Sequence, residues 1–276
     1  MSFSWIYHTN VHTKSERIDM KVKSIISLLL IIPSLLFSQV DFCVFTWPKC
    51  GTHLLTYILG QITSMNAHGT ALLNLHENLD FVSHVKEKNG FPYTHIIADW
   101  QFDELIEKNY KFIFIYRDPR DQIVSYAYWI DILNEVHPHY PLIKLDIPQR
   151  IEELITGQLF GKPMYEAYDE HSFKKSNELR DYVLSVRFED LIGPNGGGSL
   201  EKQVETILKI AKFLDFPLTM ERAEEISNKS WGNSFTFRKG TIGQWKEYFT
   251  PKDIQLYKER YGALLIEIGY EKDLNW

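Results

Sequence analysis

Short apolar runs alternate with longer amphipathic stretches along this chain, the pattern expected of strands and helices taken in turn. The first run is Phe42-Cys43-Val44-Phe45, followed by a helical pattern through Leu54-Leu55-Thr56-Tyr57-Ile58-Leu59. Tyr93-Thr94-His95-Ile96-Ile97-Ala98 reads as a short strand or the end of one, and Phe102 to Lys108 as a short helix. Lys111-Phe112-Ile113-Phe114-Ile115-Tyr116 is an aromatic and β-branched run that predicts a buried strand. It ends at Arg117, where Asp118-Pro119 opens a helix, with Asp as N-cap and Pro at the first helical position. That helix runs through Ile123, Tyr126, Ala127 and Ile130. Pro138, Pro141 and Pro148 predict an irregular loop, and further helices are expected over Ile151 to Leu159 and Tyr165 to Leu179. Tyr182 to Phe188 reads as another strand and Gly193 to Gly198 as a flexible connector. Val204, Ile207, Leu208, Ile210, Ala211 and Leu214 then form one face of an amphipathic helix. The rest is helical except for a basic loop over Ser234 to Gly243.

Strands alternating with helices predict an α/β fold, a mostly parallel central sheet flanked by helices and forming a single domain over residues 41–276. Residues 1–40 are expected to be an N-terminal extension. In such sheets ligands bind at the carboxyl ends of the strands, and Lys49, Arg117 and Phe188 all fall at such ends. The composition, 44% hydrophobic and 14% aromatic over 276 residues, supports a substantial core. A net charge of −6 argues against nucleic acid as a partner. Any anion site must therefore be a local concentration of cations. Cys43 and Cys50 make no disulfide framework and no zinc pattern, and no metal is expected. Met20-Lys21-Val22-Lys23 and the apolar run 25–37 resemble a signal peptide or an anchor, and equally suit a buried helix or a misassigned start. The expected localisation is cytoplasmic, with a membrane-associated or exported form as the alternative.

Chemistry concentrates in Thr46-Trp47-Pro48-Lys49-Cys50-Gly51-Thr52-His53. A strand, a tight turn with Lys and Gly, and a helix opening on Thr together suit a phosphate group. Helix amides point outward, the helix dipole favours an anion, and the Lys adds a point charge. The triphosphate version needs G-x-x-x-x-G-K-[ST], whereas Lys49 precedes the only Gly, so a different phosphoanhydride is expected. Arg117 and Ser125 lie eight residues apart across a strand-to-helix turn and leave room for one further phosphate between them. Ser125 stands roughly 9 Å along that helix at its usual rise. Phe237-Arg238-Lys239-Gly240 offers backbone amides beside two more cations.

These segments resemble a known family. Trp47 to Thr52 is similar to the Y-P-K-S-G-T loop of cytosolic-type sulfotransferases that use 3′-phosphoadenosine 5′-phosphosulfate, PAPS, as donor. Arg117-Asp118-Pro119-Arg120-Asp121 with Ser125-Tyr126 resembles their R-N-P-K-D…S-Y motif. Val186 to Leu191 resembles the Y-E-D-M segment, and Phe237 to Lys246 resembles F-R-K-G-x-x-G-D-W-K. The resemblance covers nearly all of residues 41–250. It implies a P-loop-containing sulfotransferase-like fold and transfer of a sulfuryl group to a hydroxyl or amine of a small-molecule or glycan acceptor. It implies His95, of a T-H pair, as general base and Lys49 as the cation stabilising the leaving phosphate. Lys49, Cys50, Gly51, Thr52 and His53 would form the 5′-phosphosulfate loop. Arg117, Ser125, Arg238, Lys239 and Gly240 would hold the 3′-phosphate, with Phe188 and Trp231 flanking the adenine.

Taken alone, His95 at a strand end is a core histidine with a satisfied hydrogen bond, and its spacing from Arg117 favours the base. Trp231 alone reads equally as core. His137 and His139 read as loop residues near the acceptor entrance. Among the departures from the family pattern, Tyr93 replaces a common Lys, Leu54 a common adenine-stacking Trp, Cys50 a Ser and His53 a usual Thr. The first two motivate an alternative, a catalytically silent PAPS-binding module. An ATP-dependent small-molecule kinase is the other alternative, and it lacks its Gly-Lys-Ser/Thr loop. No dimer motif is found near the C-terminus, and the oligomeric state is left open. Acceptor-pocket loops are expected over residues 66–92 and 131–176.

Overall fold

Five strands lie side by side in a computed structural model that describes residues 40–69, 84–95, 99–158, 176–232 and 238–276, without the side chains of 99–102. They are β1 (Phe42–Thr46), β2 (Asn66–Gly69), β3 (Gly90–Thr94), β4 (Lys111–Tyr116) and β5 (Val183–Arg187), all parallel, in the order β2-β3-β1-β4-β5. The described residues lie in one compact unit, Val40–Trp276. The apolar run 25–37, residues 96–98, most of the helix expected over 165–179, and Phe237 lie outside the described residues. Among the described residues no helix is long and apolar enough to cross a membrane.

Alternation along the strands builds two apolar faces. Phe42 and Val44 of β1 join a core with Leu55, Ile58, Leu59 and Ile62 of helix α1 (Thr52–Thr63). Cys43 and Phe45 face the other way, against Leu105 of α2 (Asp99–Glu107) and Ile268. Helix α3 (Pro119–Trp129) packs with α4 (Ile147–Thr156) in a third cluster. The helices that follow the adjacent strands β1 and β4 thus enter different cores, and a crevice opens between their starts. Register levels the rim: Thr46 pairs with Ile115, Tyr116 with Arg187, and Phe45 with Thr94. The residues after β1, β3, β4 and β5 therefore emerge together. After β5 come α5 (Phe188–Leu191), α6 (Leu200–Phe213), α7 (Met220–Ser230), α8 (Trp245–Tyr248) and α9 (Pro251–Glu267).

Several expectations need correction. The edge strand β2 falls in a stretch expected to be loop, because Asn66-Ala67-His68-Gly69 has no apolar alternation. Pro148 does not punctuate a loop. It sits in the first turn of α4, behind an Asp146–Gln149 capping box, where its missing N–H costs nothing. That helix stops at Thr156 rather than Leu159, because Gly157 caps it in the left-handed conformation. Phe188 starts α5 instead of ending the strand. The glycine stretch 193–198 is no flexible connector. Its amides bond back to Gly193 and Pro194, and Gly196 accepts the Ile242 N–H at 2.9 Å. A Cβ on Gly196 would fall 2.6 Å from the Gly240 carbonyl and 2.9 Å from the Trp231 ring, so this turn supports the basic loop directly.

Candidate active site

The turn between β1 and α1 is built by backbone conformation. Lys49 has φ 65° and Gly51 φ 98°, both left-handed, and the Cys50 N–H closes the turn on the Trp47 carbonyl at 3.3 Å. Gly51 is required twice, by its φ and because a Cβ there would lie 2.6 Å from Phe188 Cδ2. It caps α1 without any side-chain hydrogen bond, so the helix's first-turn amides are free of a side-chain cap. Cys50 is a partial correction. Its side chain is 0% exposed in the core, and burial drives its thiol pKa up, so only its backbone belongs to the turn.

A cleft of about 640 Å³ opens above this turn. Lys49, Gly51, Thr52, His53, His95, Arg117, Ser125, Phe188, Trp231, Arg238, Lys239 and Gly240 all line it. Every expected site residue but Cys50 is thus brought to one cavity. Burial, helped by the nearby Arg117 and Arg238 charges, lowers the Lys49 pKa to about 8. Its ammonium stands 5.5 Å from the centre of the Trp129 ring.

His95 is oriented from behind. Its Nδ1 lies 2.9 Å from the Thr46 carbonyl and 2.8 Å from the Thr46 hydroxyl. A carbonyl only accepts, so Nδ1 carries the proton and Nε2 keeps its lone pair. The Thr46 hydroxyl, facing a donor on that side, gives its own proton to Thr52 Oγ1 at 2.8 Å. One polar chain therefore runs from the imidazole to Thr52, the first residue of α1. Burial lowers the His95 pKa to about 4; the Thr46 carbonyl bond opposes this, and the His53 and Lys49 charges add to it. The ring is neutral at ordinary pH. Burial and Lys49 lower the His53 pKa likewise.

Arg117 is held just inside the rim. Its guanidinium stacks on Phe188, with Cζ 4.4 Å from the ring centre, and donates to the Thr241 carbonyl at 2.7 Å. Its Nε is buried without a hydrogen-bond partner among the described residues, leaving donor capacity unused. Phe188 is 4% exposed and serves as platform for Arg117 and Gly51 as well as lining the cleft. Arg238 stacks on Tyr128 and bonds Gln244, whereas Lys239 is exposed beside Tyr248 and Glu247.

Residues that sequence reasoning passed over hold these groups in place. Asp121 of α3 accepts the Gly243 N–H at 2.6 Å and the Trp245 N–H at 2.9 Å, tying the basic loop to the helix that carries Ser125. Gln122 donates to the Pro48 carbonyl at 2.6 Å, joining the start of α3 to the Lys49 turn. Glu189 accepts the Asp118 N–H at 2.9 Å and the Tyr270 hydroxyl at 2.7 Å. Each is a buried or half-buried polar side chain inside a recognised motif, which was the available signal. Arg120 lies between the Trp245 and Trp276 rings and pairs with Asp118 and Glu271, so it braces the fold away from the cleft.

Comparison with known proteins bears on this arrangement. The model of the sulfotransferase domain matches residues 39–269. Sulfotransferase 6B1 of Danio rerio is 26% identical over 187 residues, 62% of this chain and 57% of that protein. The Mus musculus protein of the same name is 26% identical over 250 residues, 82% of this chain and 76% of its own. Cytosolic sulfotransferase 17 of Arabidopsis thaliana is 25% identical over 251 residues, 77% and 70% of the two chains. The crystal structure of mouse sulfotransferase SULT7A1 complexed with PAP superposes with a TM-score of 0.61 at 20% identity, covering 85% of this chain and 90% of that one. Retinol dehydratase in complex with androsterone and inactive cofactor PAP gives a TM-score of 0.56 at 16% identity, covering 83% and 81%. At these identities the two structures establish the fold.

Proposed function

This chain belongs to the sulfotransferase family, and we propose that it moves a sulfuryl group from PAPS to a hydroxyl or amine of a small-molecule acceptor. The observation that carries the reading is His95, its Nδ1 tethered to the Thr46 carbonyl and its Nε2 without a hydrogen bond among the described residues, in the same cleft as Lys49 and Arg117. PAPS supplies the activated sulfuryl group. The acceptor oxygen or nitrogen forms a bond to sulfur as the bond from sulfur to the 5′-phosphate oxygen breaks. His95 Nε2 takes the acceptor proton. Lys49 and the amides at the start of α1 stabilise the charge that grows on the leaving phosphate. Thr52, whose hydroxyl accepts from Thr46, is left with its own proton to donate to that phosphate.

Arg117 with its unused donor, Ser125, Arg238, Lys239 and the Gly240 amide would hold the 3′-phosphate. Phe188 and Trp231, which line the same cleft, would flank the adenine. Likeness to Cytosolic sulfotransferase 17 of Arabidopsis thaliana supports a cytoplasmic setting.

The test is single-turnover transfer from PAPS labelled in the sulfuryl group to a panel of phenols, alcohols and amines, beside calorimetric binding of PAP, the desulfonated donor. Wild type should transfer to at least one acceptor class, and His95→Ala should bind PAP without transferring. Tight PAP binding with no transfer by wild type to any acceptor would replace the enzyme with a nucleotide-binding module, the reading that Tyr93 in place of a common Lys would favour.

A further inference from the structure

The cleft carries a second imidazole of opposite hydrogen-bonding character. His137 lines the cleft with its ring 5.4 Å from that of Trp129, and Ile132, Leu133 and Val136 line it too, Ile132 and Val136 being 63% and 88% exposed. Its Nδ1 accepts the backbone N–H of His139 at 3.1 Å. A backbone N–H only donates, so the proton of the neutral ring sits on Nε2, which makes no hydrogen bond among the described residues. Burial lowers the His137 pKa and keeps the ring neutral. Its position is built rather than incidental. His139 Nδ1 is 2.8 Å from the hydroxyl of the buried Tyr126, the residue after Ser125 on α3. The Tyr126, Trp129, His137 and His139 rings meet mostly edge to face, with centres 5.1–5.6 Å apart.

His95 thus offers a proton acceptor at one place in the cavity and His137 a proton donor at another, with largely apolar side chains around the second. We infer that the cleft selects acceptors with an apolar body that carry, away from the reacting hydroxyl, a hydrogen-bond acceptor such as a ketone, received by His137 Nε2–H. Tyr126 and His139 act as positioning residues for His137. The inference rests on the transfer reading above for the role of His95. The preference arises because the carbonyl takes up the Nε2–H of this half-buried ring, one hydrogen bond's worth or about tenfold in affinity.

The probes are 4-alkylphenols of graded length, each paired with the ketone bearing its carbonyl near the chain end. Dissociation constants are measured with PAP saturating, so that binding is read without turnover. Wild type should favour the ketone about tenfold at one chain length. His137→Phe should bring that ratio to near one, and His137→Gln, which keeps an N–H donor, should retain much of it. Because both members of a pair are read in the same variant, a general loss of folding or donor binding cancels. No ketone preference at any length, no saturable binding by either series, or a preference that survives His137→Phe overturns the inference. Running the same pairs with PAPS separates the two readings. Binding preference without transfer to these phenols counts against the transfer reading alone, and transfer without preference sinks this one alone.

Discussion

Replacing Gly51 by alanine tests how tightly the phosphate-type turn and the Arg117 platform are coupled. The native φ of 98° costs an L-residue about 1–2 kcal/mol. The new methyl would stand 2.6 Å from Phe188 Cδ2 and 3.1 Å from Cε2, and overpacking of this kind costs about 1–3 kcal/mol. The summed destabilisation is about 2–5 kcal/mol. Phe188 is 4% exposed, so its ring has little room to yield. Any shift it makes also moves the guanidinium stacked on its face at 4.4 Å. Loss of one charge-assisted hydrogen bond from Arg117 to a nucleotide phosphate is worth about 1.5–3 kcal/mol, or roughly 10- to 150-fold in PAP affinity. Urea unfolding and calorimetry with PAP measure the two effects. Gly269→Ala is the control, since Gly269 has φ 77° with nothing within 4 Å of the point a Cβ would occupy, and so reports strain alone. It should lose about 1–2 kcal/mol of stability and keep its PAP affinity. If Gly51→Ala matches that control in both measurements, the argued coupling between turn, ring and guanidinium is wrong.

His95→Ala should lower transfer by about 10²- to 10⁴-fold while PAP binds within about twofold of wild type, as read by single turnover and calorimetry. The pH profile of kcat/KM for PAPS should be bell-shaped, because it reports free-enzyme groups. His95 must be neutral, so activity falls as pH drops through about 4, and Lys49 must be charged, so activity falls as pH rises through about 8. Arg117→Ala removes one cation that lowers the Lys49 pKa, so the alkaline limb should move to higher pH even as KM rises. Thr46→Val keeps the carbonyl that orients His95 and deletes the hydroxyl that reaches Thr52; a fall of about fivefold in kcat, one hydrogen bond's worth, is expected in steady-state assays. Asp121→Ala frees the Gly243 and Trp245 amides and leaves Arg117 without its nearby carboxylate, which should cost about 3–5 kcal/mol in urea unfolding and weaken PAP binding.

The legible parts of this fold were those whose local pattern and tertiary role coincide. Lys111–Tyr116 is buried on both faces, and its aromatic, β-branched run announces that. Asp118 and Pro119 mark the start of α3 through capping chemistry that needs no tertiary context. The strand Asn66–Gly69 carries no such mark, because it is an edge held by backbone pairing to a neighbour that itself contains Pro92. Within the site, charged residues at strand ends were readable because the rim of a parallel sheet gathers them. The side chain of Cys50 was not, because a turn residue can face the core as easily as the ligand. Asp121, Gln122 and Glu189 escaped notice as working parts because most of their partners are backbone groups 71 to 124 residues away. The hydrogen-bonding polarity of His95 and His137 is set by a carbonyl and an amide, and only three-dimensional placement shows which.

The proposed donor site has two anion cradles, the Lys49 turn and the Arg117 shelf, that would grip one nucleotide by both its phosphates. Calorimetric titration of PAP and of AMP, which lacks the 3′-phosphate, against wild type and Arg117→Ala tests it most directly. The account predicts that wild type binds PAP at least about a hundredfold tighter than AMP, from about two charge-assisted hydrogen bonds. Arg117→Ala should erase most of that gap while leaving AMP affinity within a few-fold. Equal affinity of wild type for the two nucleotides, or a gap untouched by Arg117→Ala, would contradict it.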